Sequence, residues 1–161
     1  MADFRIRFIN SPGFVSEAID WVTFSLWDHA EIETETGTYI GAHAGTGVQE
    51  RPADYCVPTR ERRYAIPVTD DELAKIMAFA RSKIGTPYNY VDIAGLFLHH
   101  DLTSPNREIC SMFVFESALA GGVQILNVLP GYTNLVTPET LHLSPLLIGR
   151  SFYSFPAEKP V

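Results

Sequence analysis

Two short runs of alternating apolar and polar residues, separated by a turn that contains a glycine, constrain the fold of this chain most. Residues 27–33 alternate with a period of two, residues 38–43 do the same, and residues 34–37 between them end in Gly37. Alternation is typical of strands that bury one face. A short intervening segment with a glycine is typical of a hairpin. The sequence therefore predicts an antiparallel pair whose turn is centred on Thr36.

Further strands and a helix are expected on both sides of this hairpin. Alternating runs rich in aromatic and β-branched residues predict strands, and apolar residues at helical spacing predict a helix. The expected strands cover residues 4–8, 63–68 and 150–155, and the expected helix covers residues 15–24.

Two later helices are predicted from their first residues. Thr69 forms a capping-box pattern with Glu72, so a helix is expected to begin there, to bury apolar residues as far as Ile84 and to end at Gly85. A second, more apolar helix is expected to begin at about Cys110. Helices combined with an antiparallel sheet predict an α+β fold.

Length and charge limit the class of protein. The chain has 161 residues, of which 46% are hydrophobic and 19% charged, and this suits a single globular domain over residues 1–161. Its 12 Lys and Arg residues against 19 Asp and Glu residues give a net charge of −7. We expect no nucleic-acid partner, because nucleic acids are bound through basic patches.

Cysteine usage and hydropathy predict the compartment. The chain has two cysteines, Cys56 and Cys110, which cannot form a disulfide framework, so a reducing compartment is expected. Neither a signal peptide nor a membrane-spanning segment is visible in the sequence. The sequence therefore predicts a cytoplasmic protein without stable membrane insertion.

Cys110 is the candidate nucleophile because it stands at the start of the second apolar helix. Unpaired backbone N–H groups and the helix dipole favour a thiolate at such a position, and the thiolate is the form that attacks a carbonyl carbon. A cysteine on an apolar helix is by default a small core residue. Position alone therefore leaves both interpretations open, whereas Cys56, with no helix start beside it, is expected to be structural.

The hairpin supplies two histidines that could provide a base for Cys110. If the turn is centred on Thr36, His29 lies opposite His43, with Cβ atoms about 4.5–5.5 Å apart. A slip of one residue would move His43 to the other face of the sheet. The pairing suits a base, His29, that is oriented by a second polar group. Glu31, on the same face as His29, is the alternative orienting residue, and a purely structural role for the histidines stays open.

Patterns for metal and cofactor binding are weak in this sequence. His99 and His100, followed by Asp101, point in different directions on an extended chain, and no second cluster with ligand spacing is visible. The glycines at positions 41, 45 and 47 match neither nucleotide-binding fingerprint. We therefore expect no metal and no cofactor.

Several short motifs, taken in order along the chain, resemble a known family of cysteine enzymes. Two of these motifs resemble those of the NlpC-type papain-like cysteine peptidases, in which a helix ending in Gly-x-Pro-Tyr precedes the nucleophile helix. They are residues 80–90, with the sequence ARSKIGTPYNY, and Ile109-Cys110-Ser111. Those enzymes carry the catalytic histidine after the cysteine, whereas His29 precedes Cys110 here. The reversed order resembles the circularly permuted branch, which comprises the YiiX-like proteins and their lecithin–retinol acyltransferase relatives.

The resemblance implies a fold and the roles of individual residues. It implies a papain-like fold in which an antiparallel sheet packs against the nucleophile-bearing helix. Cys110 would be the nucleophile and His29 the general base, and His43 fits the third position, on the strand after the histidine strand. The remaining candidates are Glu31, as the alternative orienting residue, and Tyr88 and Ser111, which would contact the substrate or the oxyanion.

The function implied by the resemblance is that of a cysteine hydrolase (an amidase or peptidase) or an acyltransferase. The substrate would be a small amide, a peptide or a lipid-like molecule with an amide, ester or thioester bond. Cell-wall peptide cleavage in a bacterial or phage setting is a second enzyme interpretation. A non-catalytic binding or virion-associated module of the same fold is the third. Residues 90–108 and 122–138 are the expected pocket walls, and the sequence predicts no oligomeric state.

Overall fold

An antiparallel sheet is the framework of the computed structural model, which describes residues 1–11, 26–88, 109–128 and 136–149. Six strands and three helices lie within these residues. The strands are β1 (Ala2–Asn10), β2 (His29–Glu33), β3 (Tyr39–His43), β4 (Gly47–Arg51), β5 (Arg60–Val68) and β6 (Ile148–Gly149). The helices are α1 (Asp70–Ser82), α2 (Cys110–Ala120) and α3 (Pro138–His142).

The strands form one sheet in the order β4-β3-β2-β1-β5-β6, and every neighbouring pair is antiparallel. The predicted α+β class with an antiparallel sheet is therefore confirmed. No helix within the described ranges is long and apolar enough to cross a membrane. The helix predicted over residues 15–24 and the strand predicted over residues 150–155 lie outside the described residues.

The predicted hairpin is formed by β2 and β3 in the expected register. Ile32 lies opposite Ile40 and Glu33 opposite Tyr39, so both pairs are symmetric about position 36. Gly37 makes the turn possible, because it adopts a φ of +79° that side chains disfavour. The alternation and the turn glycine therefore predicted the pairing of the two strands.

The two faces of the sheet differ sharply in polarity. Where β1 pairs with β2, Ile6 lies opposite Ile32 and Phe8 opposite Ala30, and all four side chains belong to the hydrophobic core. The core continues into α1 and α2 through residues such as Ile76 and Phe113. Side chains alternate along a strand, so the residues between these positions point to the opposite face, which is the polar one.

The first helix begins as predicted and ends earlier than predicted. Thr69 accepts a hydrogen bond from the backbone N–H of Glu72, whose side chain in turn accepts one from the Thr69 N–H. The last residue of the helix is Ser82, and Lys83 caps it. Ile84, expected in the buried stripe, is therefore 45% exposed, because the helical spacing that would bury it no longer applies there.

The segment after α1 turns back and lies against β4. The N–H of Gly85 donates to the Val48 carbonyl, and the N–H of Val48 donates to the Thr86 carbonyl, both at 2.9 Å. The chains approach so closely that a Cβ atom on Gly47 would lie 2.1 Å from the Thr86 carbonyl oxygen. The segment then places Tyr88 in the hydrophobic core.

Candidate active site

The predicted pair of histidines meets on the polar face of the sheet. His29 is the first residue of β2 and His43 the last of β3. Their ring centroids lie 4.7 Å apart, with 40° between the ring planes. His43 is buried and His29 is 13% exposed, so His29 retains a path to solvent.

A buried carboxylate, Glu31, lies between these histidines and two further polar side chains. Its Oε1 atom is 3.3 Å from the Nε2 atom of His29 and 3.6 Å from the Nε2 atom of His43. The Tyr55 hydroxyl donates to the same Oε1 at 2.6 Å, and Arg7 donates to Oε2 at 3.3 Å. Both histidines therefore share a single carboxylate oxygen.

The contacts of Glu31 keep it ionised although it is fully buried. Burial raises the pKa of Glu31, but the close contact and positive charge of His29 and the hydrogen bond of Tyr55 outweigh burial and hold the pKa below its ordinary value. Glu31 is therefore a carboxylate at neutral pH. A carboxylate so held can fix the orientation of an imidazole ring beside it.

Arg7 anchors Glu31 from the neighbouring strand. It lies opposite Glu31 in the β1–β2 register and is itself 2% exposed. Its Nε atom donates to Glu61 at 2.9 Å, and its guanidinium group lies 4.3 Å from the Tyr39 ring centroid. A buried ion pair gives geometric precision where its hydrogen bonds are satisfied. Neither Arg7 nor Tyr55 was among the candidate site residues from the sequence. The one sequence feature that could have pointed to Arg7 was its position on the polar face of β1.

Glu31 and His29 occupy space that a side chain at position 41 would fill, and residue 41 is a glycine. A Cβ atom on Gly41 would lie 3.1 Å from the Glu31 Cγ atom and 3.2 Å from the His29 Nε2 atom. Both distances are below ordinary van der Waals contact. The absence of a side chain at Gly41 therefore allows the imidazole and the carboxylate to lie side by side.

Cys110 is the first residue of α2, as predicted, and its thiol reaches the start of β2. The Sγ atom lies 3.9 Å from the carbonyl oxygen of Asp28, the residue before His29, and Cys110 is 4% exposed. Cys110 also lies close enough to His29 to raise the pKa of its imidazole. The Nε2 atom of His29 contacts Glu31, so Nδ1 is the ring nitrogen left for a contact with Cys110.

The two histidines differ in charge as a result of these contacts. Burial lowers the pKa of His29, but the neighbouring Cys110 and Glu31 outweigh burial and raise the pKa to about 10. Burial and the positive charge of His29 lower the pKa of His43 to about 3, although Glu31 opposes the shift. At neutral pH His29 is therefore an imidazolium ion beside the Glu31 carboxylate, whereas His43 is neutral.

Ser111 and Tyr88 have contacts of their own. The Ser111 hydroxyl is buried and donates to the Val136 carbonyl at 2.6 Å, which ties α2 to the segment before α3. Tyr88 belongs to the hydrophobic core. Contact of Tyr88 and Ser111 with the substrate or the oxyanion stays a prediction. Because the Ser111 hydroxyl already donates to Val136, the backbone N–H is the group of Ser111 that could donate to an oxyanion.

The other cysteine and the other histidines are less informative. Cys56 follows Tyr55 and is a half-buried free thiol. His142 lies on α3, and its Nε2 atom is hydrogen-bonded to the Tyr64 hydroxyl at 2.7 Å. His99 and His100, with the whole expected pocket wall at 90–108, lie outside the described residues.

Comparison with known proteins identifies the fold. No family model and no curated protein matches this chain. Among solved structures, that of the metalloprotein YiiX from Escherichia coli O157:H7 superimposes with a TM-score of 0.71. It is 16% identical and covers 96% of this chain and 98% of that chain. The likeness confirms the YiiX-like fold that the order of the sequence motifs predicted.

Proposed function

We propose that this protein is a cysteine-dependent hydrolase or acyltransferase of the permuted papain-like, NlpC-related type. Cys110 is the nucleophile, His29 the general base and acid, and Glu31 the residue that orients His29. One observation carries the proposal: His29 lies between a buried carboxylate at its Nε2 atom and a cysteine at a helix start on its other side. In cysteine hydrolases the nucleophile contacts the base, and the base contacts the group that orients it. Cys110, His29 and Glu31 would have these three roles.

The first half of the reaction is acylation of Cys110. The thiolate attacks the carbonyl carbon of an amide, ester or thioester, and the carbonyl oxygen becomes an oxyanion. Backbone N–H groups at the start of α2, including that of Cys110, have no intrahelical acceptor and are available to donate to it. As the bond to the leaving group breaks, the imidazolium of His29 gives its Nδ1 proton to the departing nitrogen, oxygen or sulfur atom.

The second half releases the acyl group. Neutral His29 takes a proton from water or from an acceptor alcohol or amine, and that molecule attacks the thioester carbonyl. The Cys110 sulfur leaves as a thiolate beside the imidazolium, which restores the starting pair. Water as the acceptor gives hydrolysis, and an alcohol or amine gives acyl transfer.

The contact distances support Glu31 rather than His43 as the orienting residue. The Glu31 oxygen lies 3.3 Å from the His29 Nε2 atom, whereas His43 presents a tilted ring at a centroid distance of 4.7 Å. A carboxylate also stabilises the imidazolium that forms during the reaction, which a neutral histidine does less well. His43 then limits the tilt of His29 by packing against it.

Labelling with a thiol-reactive probe tests the proposal. Iodoacetamide should modify Cys110 faster than Cys56, and His29→Ala should abolish this preference. His142→Gln, which changes a histidine outside the cluster, should leave the preference intact. Equal, slow labelling of both cysteines in the wild-type protein would contradict catalysis and would favour a non-catalytic binding or virion-associated module.

Mass spectrometry of the acylated protein separates hydrolysis from acyl transfer. A p-nitrophenyl ester should add one acyl group to Cys110, and the adduct should be absent in Cys110→Ala. Release of the group with water alone identifies a hydrolase, and release only after addition of an amine or alcohol identifies an acyltransferase. An ester that reacts equally with wild type and Cys110→Ala would argue against Cys110 as the nucleophile.

A further inference from the structure

Three side chains of the site bring atoms together that are common metal ligands. The Nε2 atoms of His29 and His43 and a carboxylate oxygen of Glu31 all lie within 4.8 Å of one another. Among the described residues neither Nε2 atom makes a hydrogen bond of normal geometry, although both atoms are buried. Buried polar atoms without a hydrogen bond are rare and call for a ligand or a functional reason.

We propose that these three side chains also bind a divalent transition metal ion such as Zn²⁺. Imidazole nitrogen and carboxylate oxygen are its usual ligands, with bonds of about 2.0–2.2 Å, so ligand atoms around a tetrahedral ion lie about 3.3 Å apart. The distances from Glu31 Oε1 to the two Nε2 atoms are 3.3 and 3.6 Å. Two of the three edges of the coordination triangle therefore already have nearly the required length.

The surroundings of Glu31 suit a metal ligand. Tyr55 donates to Oε1 and Arg7 to Oε2, which fixes the carboxylate and leaves Oε1 with one further lone pair. The charge of Arg7 is itself paired with Glu61 at 2.9 Å. Residues that hydrogen-bond a metal ligand in this manner set its orientation and its affinity for the ion.

The metal would lie on the opposite side of the His29 ring from Cys110. Nε2 faces Glu31, Nδ1 is the ring nitrogen left for the thiol, and the ligand atoms that lie together are those of His29, Glu31 and His43, so Cys110 is not a ligand in this arrangement. A metal on Nε2 leaves the remaining ring proton on Nδ1, where His29 can neither accept the thiol proton nor act as an imidazolium acid. Bound metal would therefore inhibit the enzyme reversibly. This consequence rests on the proposed function, whereas metal binding itself does not.

Calorimetric titration with zinc chloride tests the site without any measurement of activity. Wild type and Cys110→Ala should each bind one ion with affinities within about threefold of each other, because Cys110 is not a ligand. Tyr55→Phe should weaken binding about 10–100-fold, the usual effect of losing a group that supports a ligand. Glu31→Gln and His43→Gln should weaken it by more than about 100-fold, since each removes a ligand.

Spectra of the cobalt-substituted protein distinguish this ligand set from others. Co²⁺ should give visible absorption typical of nitrogen and oxygen ligands, without the near-ultraviolet charge-transfer band of a cobalt–thiolate bond. The double variant His99→Ala/His100→Ala, which removes the other histidine cluster of the sequence, should bind like wild type. A thiolate band, or loss of binding in the double variant, would overturn the assignment.

The two proposals fail independently. If neither wild type nor Cys110→Ala binds zinc while Cys110 still reacts preferentially with iodoacetamide, the metal site is refuted and the hydrolase stands. If zinc binds as expected but Cys110 shows no enhanced reactivity, the hydrolase is refuted and the metal site stands. If zinc binds and Cys110 reacts, zinc should slow the labelling and EDTA should restore it; an unchanged labelling rate at saturating zinc would refute inhibition.

Discussion

Replacing Gly41 by alanine tests whether the close contact of His29 and Glu31 depends on the missing side chain. The φ of Gly41 is not in the left-handed region, so alanine fits the backbone, and the loss of chain entropy in the unfolded state would stabilise the protein by about 0.4–1 kcal/mol. The new methyl group would lie 3.1 Å from the Glu31 Cγ atom and 3.2 Å from the His29 Nε2 atom. Crowding of this kind costs about 1–3 kcal/mol. The two effects leave a net loss of stability of about 0–2.6 kcal/mol, with a central value of about 1.3 kcal/mol.

The same methyl group should reduce the reactivity of Cys110. To relieve the contact, His29 and Glu31 must move by a few tenths of an ångström. A misplacement of about 1 Å costs on the order of a hundredfold in rate, so a shift of about 0.3 Å corresponds to about a two- to fivefold slower reaction with iodoacetamide.

Urea denaturation and labelling rates measure the two effects, and a double-mutant cycle assigns them. In the His29→Ala background the methyl group has space, so Gly41→Ala should cost less stability there than in wild type. An equal cost in both backgrounds would show that the methyl group does not contact His29. A Gly41→Ala protein as stable and as reactive as wild type would refute the packing argument altogether.

Three further outcomes are expected. Tyr55→Phe removes a charge-assisted hydrogen bond to Glu31, so it should lower the free energy of unfolding by about 1.5–3 kcal/mol in urea titrations. Cys110→Ser removes the thiol that, together with Glu31, raises the pKa of His29 from 6.5 to about 10, so NMR titration of the imidazole should give a lower pKa. The raised pKa stabilises the wild-type fold fully below pH 6.5, and this contribution is lost as the pH rises through about 10, so Cys110→Ser should lose less stability at alkaline pH. Glu31→Gln should slow acylation of Cys110 more than His43→Ala does, as measured with the p-nitrophenyl ester.

Each of these outcomes has a contrary result. Unchanged stability of Tyr55→Phe would mean that Arg7 alone holds Glu31. An unchanged pKa of His29 in Cys110→Ser would separate the histidine from the cysteine and weaken the proposed mechanism. Acylation that depends on His43 and not on Glu31 would make His43 the orienting residue, as the resemblance to the acyltransferase relatives implied.

Local patterns predicted the parts of the site that depend on neighbours in sequence. The alternation around Gly37 determined the register of β2 and β3, and the register brought His29 and His43 together. The apolar run after Ile109 located the start of α2 and therefore Cys110. These features are set by side-chain periodicity and turn geometry, which a sequence shows directly.

The remaining contacts depend on pairings that no local pattern shows. Arg7 reaches Glu31 because β1 pairs with β2, and Tyr55 reaches it from a loop between β4 and β5. The sequence identified Glu31 only as a residue on the same face of the strand as His29. It could not decide whether Glu31 or His43 orients His29, because that choice depends on interatomic distances that differ by less than the length of a side chain. Ile84 was expected to be buried because the capping pattern specifies where a helix starts more firmly than where it ends.

The contact of the Gly85–Thr86 turn with β4 has a consequence for association between molecules. Among the strands of the described residues β4 is the outermost on its side of the sheet, and an uncovered outer strand is a template on which another chain can add a strand. Here the N–H and the carbonyl of Val48 are both taken by the turn, so a second molecule cannot pair there. Since this closure requires the absence of a side chain at Gly47, a substitution at Gly47 would free the backbone of Val48 and open this strand to intermolecular β-pairing and aggregation.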